Sequence, residues 1–166
     1  MCPCCEEVTT DAYIKQSGKA HKIGAHLMAV VAEGKRGRIY LSPDTEQVLA
    51  ANMEKPENYP DGAMPTNPRW FSPPAFGMTE YSDLFTNRQL TALTTFSRLV
   101  SEAQKKAAED AIASGMHNDY ARLADGGSGA TAYGQAVGVY LSFLISKIAD
   151  RGSTICSWDS SREGLR

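Results

Sequence analysis

Apolar positions fall at helical spacing through the second half of the chain and in short runs near its start. Leu90, Leu93, Phe96, Val100, Ala103 and Ala107 recur every three or four residues, which predicts an amphipathic helix. Thr86 with Gln89 three positions on fits a capping box, leaving Asn87 and Arg88 for the first turn. Glu102, Lys105, Lys106, Glu109 and Asp110 suit its exposed side, and Gly115 its stop. A second helix is expected from near Ala130 to about Asp150. Tyr133, Ala136, Val137, Tyr140, Leu141, Leu144, Ile145 and Ile148 give it a wide apolar face, the mark of a central core helix. The intervening chain, with a short helix within residues 116 to 125, is long enough to reverse direction. The two helices are therefore expected antiparallel, with Leu144 and Ile148 facing Leu93, Phe96 and Val100. Leu144→Ala is then a core truncation costing about 2–5 kcal/mol, and Arg36→Ala a surface change of less than about 0.5 kcal/mol.

Residues 1 to about 42 read as β-rich. The runs His26–Ala32 and Arg38–Leu41 flank Glu33-Gly34-Lys35-Arg36-Gly37, a glycine-containing connection that predicts a hairpin. Asp44 is a candidate N-cap for a short helix reaching Met53. Pro56, Pro60, Pro65, Pro68, Pro73 and Pro74 then remove donors and fix backbone angles, so regular structure should lapse across 55–77. Trp70, Phe71 and Phe76 in the same stretch favour an ordered loop packed over the core. The fold class is thus α+β in three parts: a β-hairpin part at 1–54, a proline- and aromatic-rich connecting loop at 55–82, and a helical part at 83–166 with two long antiparallel helices. No internal repeat or low-complexity tract interrupts them.

Composition narrows the setting. The chain has 166 residues, 42% hydrophobic and 22% charged, as expected of one globular domain. A formal net charge of −2 argues against a protein-wide grip on nucleic acid, although local basic clusters remain available. No apolar run approaches the ~20 residues of a membrane span, and no charged leader precedes an apolar stretch. Three of the four cysteines crowd into residues 2 to 5, unlike a secreted disulfide framework, so a cytoplasmic location is expected.

Cys2 and Cys5 have the spacing of a zinc knuckle, whose turn aims two thiolates at one ion. A structural site takes four ligands. Cys4 with His21 or His26 is one way to supply the others; a knuckle remnant without tightly held metal is the alternative. A redox Cys-x-x-Cys fits less well, because Val8, Thr9 and Thr10 favour strand where such motifs open a helix. Cys156 beside Trp158 reads as a small buried apolar residue. Gly126-Gly127-Ser128-Gly129 before the second long helix could cradle an anionic group or simply join two helices, and the helical pattern upstream favours the joint. Lys15, Lys19, Lys22, Lys35, Arg36 and Arg38 concentrate positive charge with few acidic neighbours. They are candidate phosphate contacts for DNA, or a solvated face. Arg88 and Gln89 could reach a base edge, but Gln89 as a cap and Arg88 paired with a carboxylate such as Asp83 is the simpler reading. His117, Asn118 and Asp119 read as loop polarity, and no nucleophile–His–acid spacing stands out.

Residues 83–96, Asp-Leu-Phe-Thr-Asn-Arg-Gln-Leu-Thr-Ala-Leu-Thr-Thr-Phe, resemble a segment of the zinc-ribbon-containing adenine-specific DNA methylases. The likeness extends in order through the Cys2–Cys5 start, Gly18-Lys19-Ala20, Gly24-Ala25, Leu27–Gly34, Arg36–Leu41, Gly129–Tyr133 and Asp150–Trp158. It implies that residues 1–54 are a zinc-ribbon remnant, with Cys2 and Cys5 as the second knuckle of a ribbon. It also implies an S-adenosylmethionine-dependent enzyme that methylates adenine in DNA, using a glycine-rich cofactor motif and an Asp-Pro-Pro-Tyr tetrad on an extruded base. Neither motif occurs in these residues: there is no Asp-Pro pair, and Pro73-Pro74 follows Ser72. Asn87 stands where the family pattern has proline, and Cys4 and Glu6 depart from a knuckle ending in glycine. The chain therefore reads as the region between those motifs, a fragment or truncated reading frame, with DNA and the remaining methylase domains as partners and no membrane. The alternative is an independent nucleic-acid-binding or regulatory module derived from that family.

Two thiolates leave half of a tetrahedral shell to water. A chelator is expected to remove any zinc while the far-ultraviolet circular dichroism of the helices stays unchanged; one zinc per chain surviving chelation, or helical signal leaving with the metal, would contradict this.

Overall fold

The computed structural model describes residue 2 and residues 4–66, 71–159, 161–162 and 164–165. Pro68 and Trp70 of the proline-rich stretch lie outside them, as do Met1 and Pro3. The fold is α+β, with four α-helices among the described residues and a small antiparallel hairpin near the N-terminus.

Helix α1 (Asp11–Lys19) occupies a segment expected to be β-rich. Its start is encoded locally: the Thr10 hydroxyl accepts the Tyr13 amide and Asp11 places a negative charge in the first turn. These signals outweigh the strand preference of Val8, Thr9 and Thr10. Strands β1 (Val30–Gly34) and β2 (Gly37–Leu41) pair antiparallel with Val31 opposite Tyr40 and Glu33 opposite Arg38. The hairpin is the expected one, but its first strand begins at Val30 rather than His26. Helix α2 (Thr45–Ala51) starts at Asp44, whose carboxylate accepts the Gln47 amide while the Gln47 side chain accepts that of Asp44.

Between α2 and the next long helix the backbone forms two 3₁₀ turns, Pro73–Phe76 and Tyr81–Leu84, and an isolated bridge between Ala63 and Glu80. Helix α1 packs on the first turn. A Cβ on Gly18 would run into the Phe76 carbonyl, and one on Gly77, where φ is 86°, into the Gly18 carbonyl. Two backbones touch there because neither position carries a side chain.

Helix α3 (Asn87–Ala113) begins with the expected Thr86–Gln89 capping box, and α4 runs from Ala130 to Arg151. The only regular piece described within 116–125 is the 3₁₀ turn Leu123–Asp125. A Cβ on Gly134 would sit 2.6 Å from the Gln104 carbonyl oxygen and 2.9 Å from Ala108, and one on Gly138 would sit 2.7 Å from the Gln104 side chain. Farther along, Ile145 and Ala149 line the same groove as Leu93 and Ser97. Rising numbers on α4 meet falling numbers on α3, so the pair is antiparallel.

The stripe of α4 that meets α3 is not the one expected. Leu144 is 57% exposed and Ile148 and Phe96 are also exposed. The contact selects Gly134, Gly138, Ser142, Ile145 and Ala149, whose small members let the helix axes approach, and this turns Tyr140, Phe143, Leu144 and Ile148 outward. Buried apolar side chains are few among the described residues: Met64, Leu90, Leu93, Ala111, Ala130 and Ala132. Beyond α4, the Thr154 amide and hydroxyl both donate to the Leu84 carbonyl, at 2.8 and 2.9 Å, closing the helical pair at its base. A short ladder, β3 (Trp158–Asp159) with β4 (Gly164–Leu165), follows.

Leu90→Ala is expected to cost about 2–5 kcal/mol through lost burial and a residual cavity, and Leu144→Ala within about 0.5 kcal/mol in the isolated chain. Urea unfolding of both variants checks the ranking.

Candidate functional site

The cysteine segment folds back on itself. The Cys2 amide donates to the Glu7 carbonyl at 2.8 Å and the Glu6 amide to the Cys2 carbonyl at 2.9 Å. Glu6 takes a φ of 58°, the left-handed conformation a glycine would adopt without strain. Backbone N–H groups of Cys4 and then Cys5, followed by the Cys5 side chain, hold the Cys2 thiol below its ordinary range. Those amides stabilise a thiolate without a helix, since α1 starts only at Asp11. Cys4 and Cys5 are exposed and Cys2 is half-buried. His21 sits in the turn after α1 with φ 52°, and His26 is exposed. Among the described residues no group of three or more His, Cys, Asp or Glu side chains is placed to share a metal ion.

The basic residues separate into two places. On α1, Lys15 is engaged within the fold: its ammonium lies 2.6 Å from Asp11 and 5.5 Å from the centre of the Phe76 ring. Lys19 and Lys22 are exposed at the end of that helix. Lys35, Arg36 and Arg38 ride on the hairpin, where Arg38 lies over the indole of Trp158, 5.8 Å from its centre. The Trp158 ring N–H donates to the Tyr40 hydroxyl at 3.1 Å, and the two rings meet edge to face. Sequence reasoning missed this cluster, because its halves lie 118 positions apart. Arg88 is exposed, and Asp83, the example of a carboxylate partner for it, accepts the Thr79 and Glu80 amides. Cys156 is half-buried and donates its thiol to the Asp150 carbonyl.

The glycine cluster before α4 is built as a joint. The Ala130 amide, which an anion at this helix start would use, donates to the His117 carbonyl at 3.0 Å, and the Thr131 amide to the Asn118 side chain at 3.1 Å. Asp119 accepts the Ala121 and Ser128 amides, each at 3.1 Å, clamping both sides of the loop. Asn118 and Asp119, read from sequence as loop polarity, are therefore what fixes the start of α4. The signal was present: Asn and Asp are the residues that bond backbone amides in turns.

Comparison with protein-family models, curated proteins and solved structures gave no match. No helix among the described residues is long and apolar enough to cross a membrane.

The Ser128 amide, and after it that of Ala121, hold the Asp119 carboxyl below its usual value of 3.8. A depressed folded-state pKa gives stability that is present above the unfolded value and lost as pH falls toward the folded one. Stability should therefore fall below about pH 4, and Asp119→Ala should remove part of that fall. Asp159, lowered chiefly by the Ser161 hydroxyl, acts in the same window, so the Asp119→Ala profile should retain a smaller drop. Urea melts across acid pH check both slopes.

Proposed function

We propose that this chain is a non-catalytic segment of an S-adenosylmethionine-dependent adenine-specific DNA methyltransferase, supporting the catalytic domain or contacting DNA. The ordered likeness running from the cysteine turn to Asp150–Trp158 supports the family, and an unusual surface supports the role. The chain exposes 12699 Å², whereas a compact monomer of 18.0 kDa exposes roughly 8,000 Å². Many large apolar side chains are exposed. From Ala130 to Ser146, α4 carries no charged residue, and Tyr140 is 74% exposed beside Phe143 and Leu144. A helix with large apolar side chains on its outer face as well as toward its partner belongs against a larger body. The remaining methylase domains, which would bring the glycine-rich cofactor motif and the Asp-Pro-Pro-Tyr tetrad, are the partner that reading supplies.

Zinc, in this reading, is held by Cys2 and Cys5 only together with a second knuckle on the same methylase. Lys19, Lys22, Lys35, Arg36 and Arg38 are candidate cations for DNA phosphates, and Lys15 contributes less because Asp11 holds it. An independent small nucleic-acid-binding or regulatory module is the second reading, favoured by the basic and aromatic cluster on the hairpin.

The isolated chain is expected to transfer no methyl group from labelled S-adenosylmethionine to an adenine-containing duplex. Co-expressed with the cofactor-binding and tetrad-bearing domains of such a methylase, it should co-purify, and Tyr140→Asp with Leu144→Asp should abolish the complex. Turnover by the repurified chain alone, or its recovery as a well-behaved monomer that ignores those domains, would sink the reading.

A further inference from the structure

The hairpin and the C-terminal ladder together form a surface whose chemistry differs from that of α4. Arg38 and Tyr40 project from the same face of β2, two positions apart. Trp158 meets both, held by the bond to the Tyr40 hydroxyl, the edge-to-face contact at 6.0 Å and the guanidinium above its ring. Tyr40 is 51% and Trp158 41% exposed, so each still offers ring surface to a ligand. Beside them a groove of about 510 Å³ is lined by Glu33, Gly34, Lys35, Gly37, Arg38 and Arg162. The Arg162 end is ordered by Asp159, whose carboxylate accepts the Ser161 hydroxyl and amide and the Arg162 amide.

Two exposed aromatic rings fixed by mutual contacts, next to three cations, Lys35 and Arg38 on the hairpin and Arg162 just beyond β3, are the two components that recognise unpaired nucleotides: a stacking platform and a track for phosphates. A purely apolar partner would strand Lys35, Arg38 and Arg162 in its interface. A base-paired duplex shields its base faces and would leave the rings unused. We infer that this surface binds single-stranded nucleic acid, with bases stacking on Trp158 and Tyr40 and phosphates meeting Lys35, Arg38 and Arg162.

The inference shares only the hairpin cations with the methylase reading, and its test needs no other protein. Failure here therefore leaves the co-purification result standing, and the converse holds. Fluorescence anisotropy at low salt would compare a labelled oligothymidylate, the matching oligouridylate and a duplex of the same length. One or both single strands should bind more tightly than the duplex. Trp158→Leu, which keeps bulk without a π face, should weaken that binding roughly tenfold, while Trp158→Phe should retain most of it. Arg38→Ala should lower the salt dependence by about one phosphate contact. Circular dichroism matching the parent chain shows that the fold survives each change. Equal single-strand affinity in Trp158→Leu and Trp158→Phe, duplex binding as tight as single-strand binding, or no binding to either single strand would overturn the proposal.

Discussion

The close approach of α3 and α4 is the constraint from which most of the structure follows. With Gly134 and Gly138 against Gln104 and Ala108, the helices meet almost backbone to side-chain base. A narrow contact has no room for the large residues of α4, so Tyr140, Phe143 and Leu144 point away. The same contact fixes which ends come together. It sets Gly129 beside Asn118 and Asp119 at one end and Thr154 beside Leu84 at the other. Residues distant in sequence thus become the closures of a single rigid pair.

Two surfaces follow that ask for different company. The outward face of α4 is uncharged over most of its length and fits only against another apolar surface. The hairpin face mixes guanidinium groups with indole and phenol rings, where water and anions are welcome. One chain thereby presents an apolar side and a mixed basic and aromatic side.

Local signals carried through to the fold where they were self-sufficient. Asp44 with Gln47 and Thr86 with Gln89 are capping boxes that need nothing beyond four consecutive residues, and both helices start where those residues say. The hairpin was legible from its glycine-containing connection. Helix α1 was legible too, in Thr10 and Asp11, but β-branched neighbours pointed the other way. The facing stripe of α4 was not legible. Periodicity marks an apolar side, whereas the choice between small and large apolar stripes is made by how near a partner can come. The candidate site divides the same way: the cysteine spacing and the hairpin cations could be read along the chain, while the Tyr40–Trp158 contact exists only after folding.

Thr154 places two hydrogen bonds on the carbonyl of Leu84, a residue 70 positions earlier. Everything between those two points leaves and returns through one narrow neck. A unit with its entry and exit side by side can be inserted into a host chain without prising the host apart, because the host backbone need be interrupted only across a gap of a few ångströms. The helical pair has, in that sense, its entry and exit at one place.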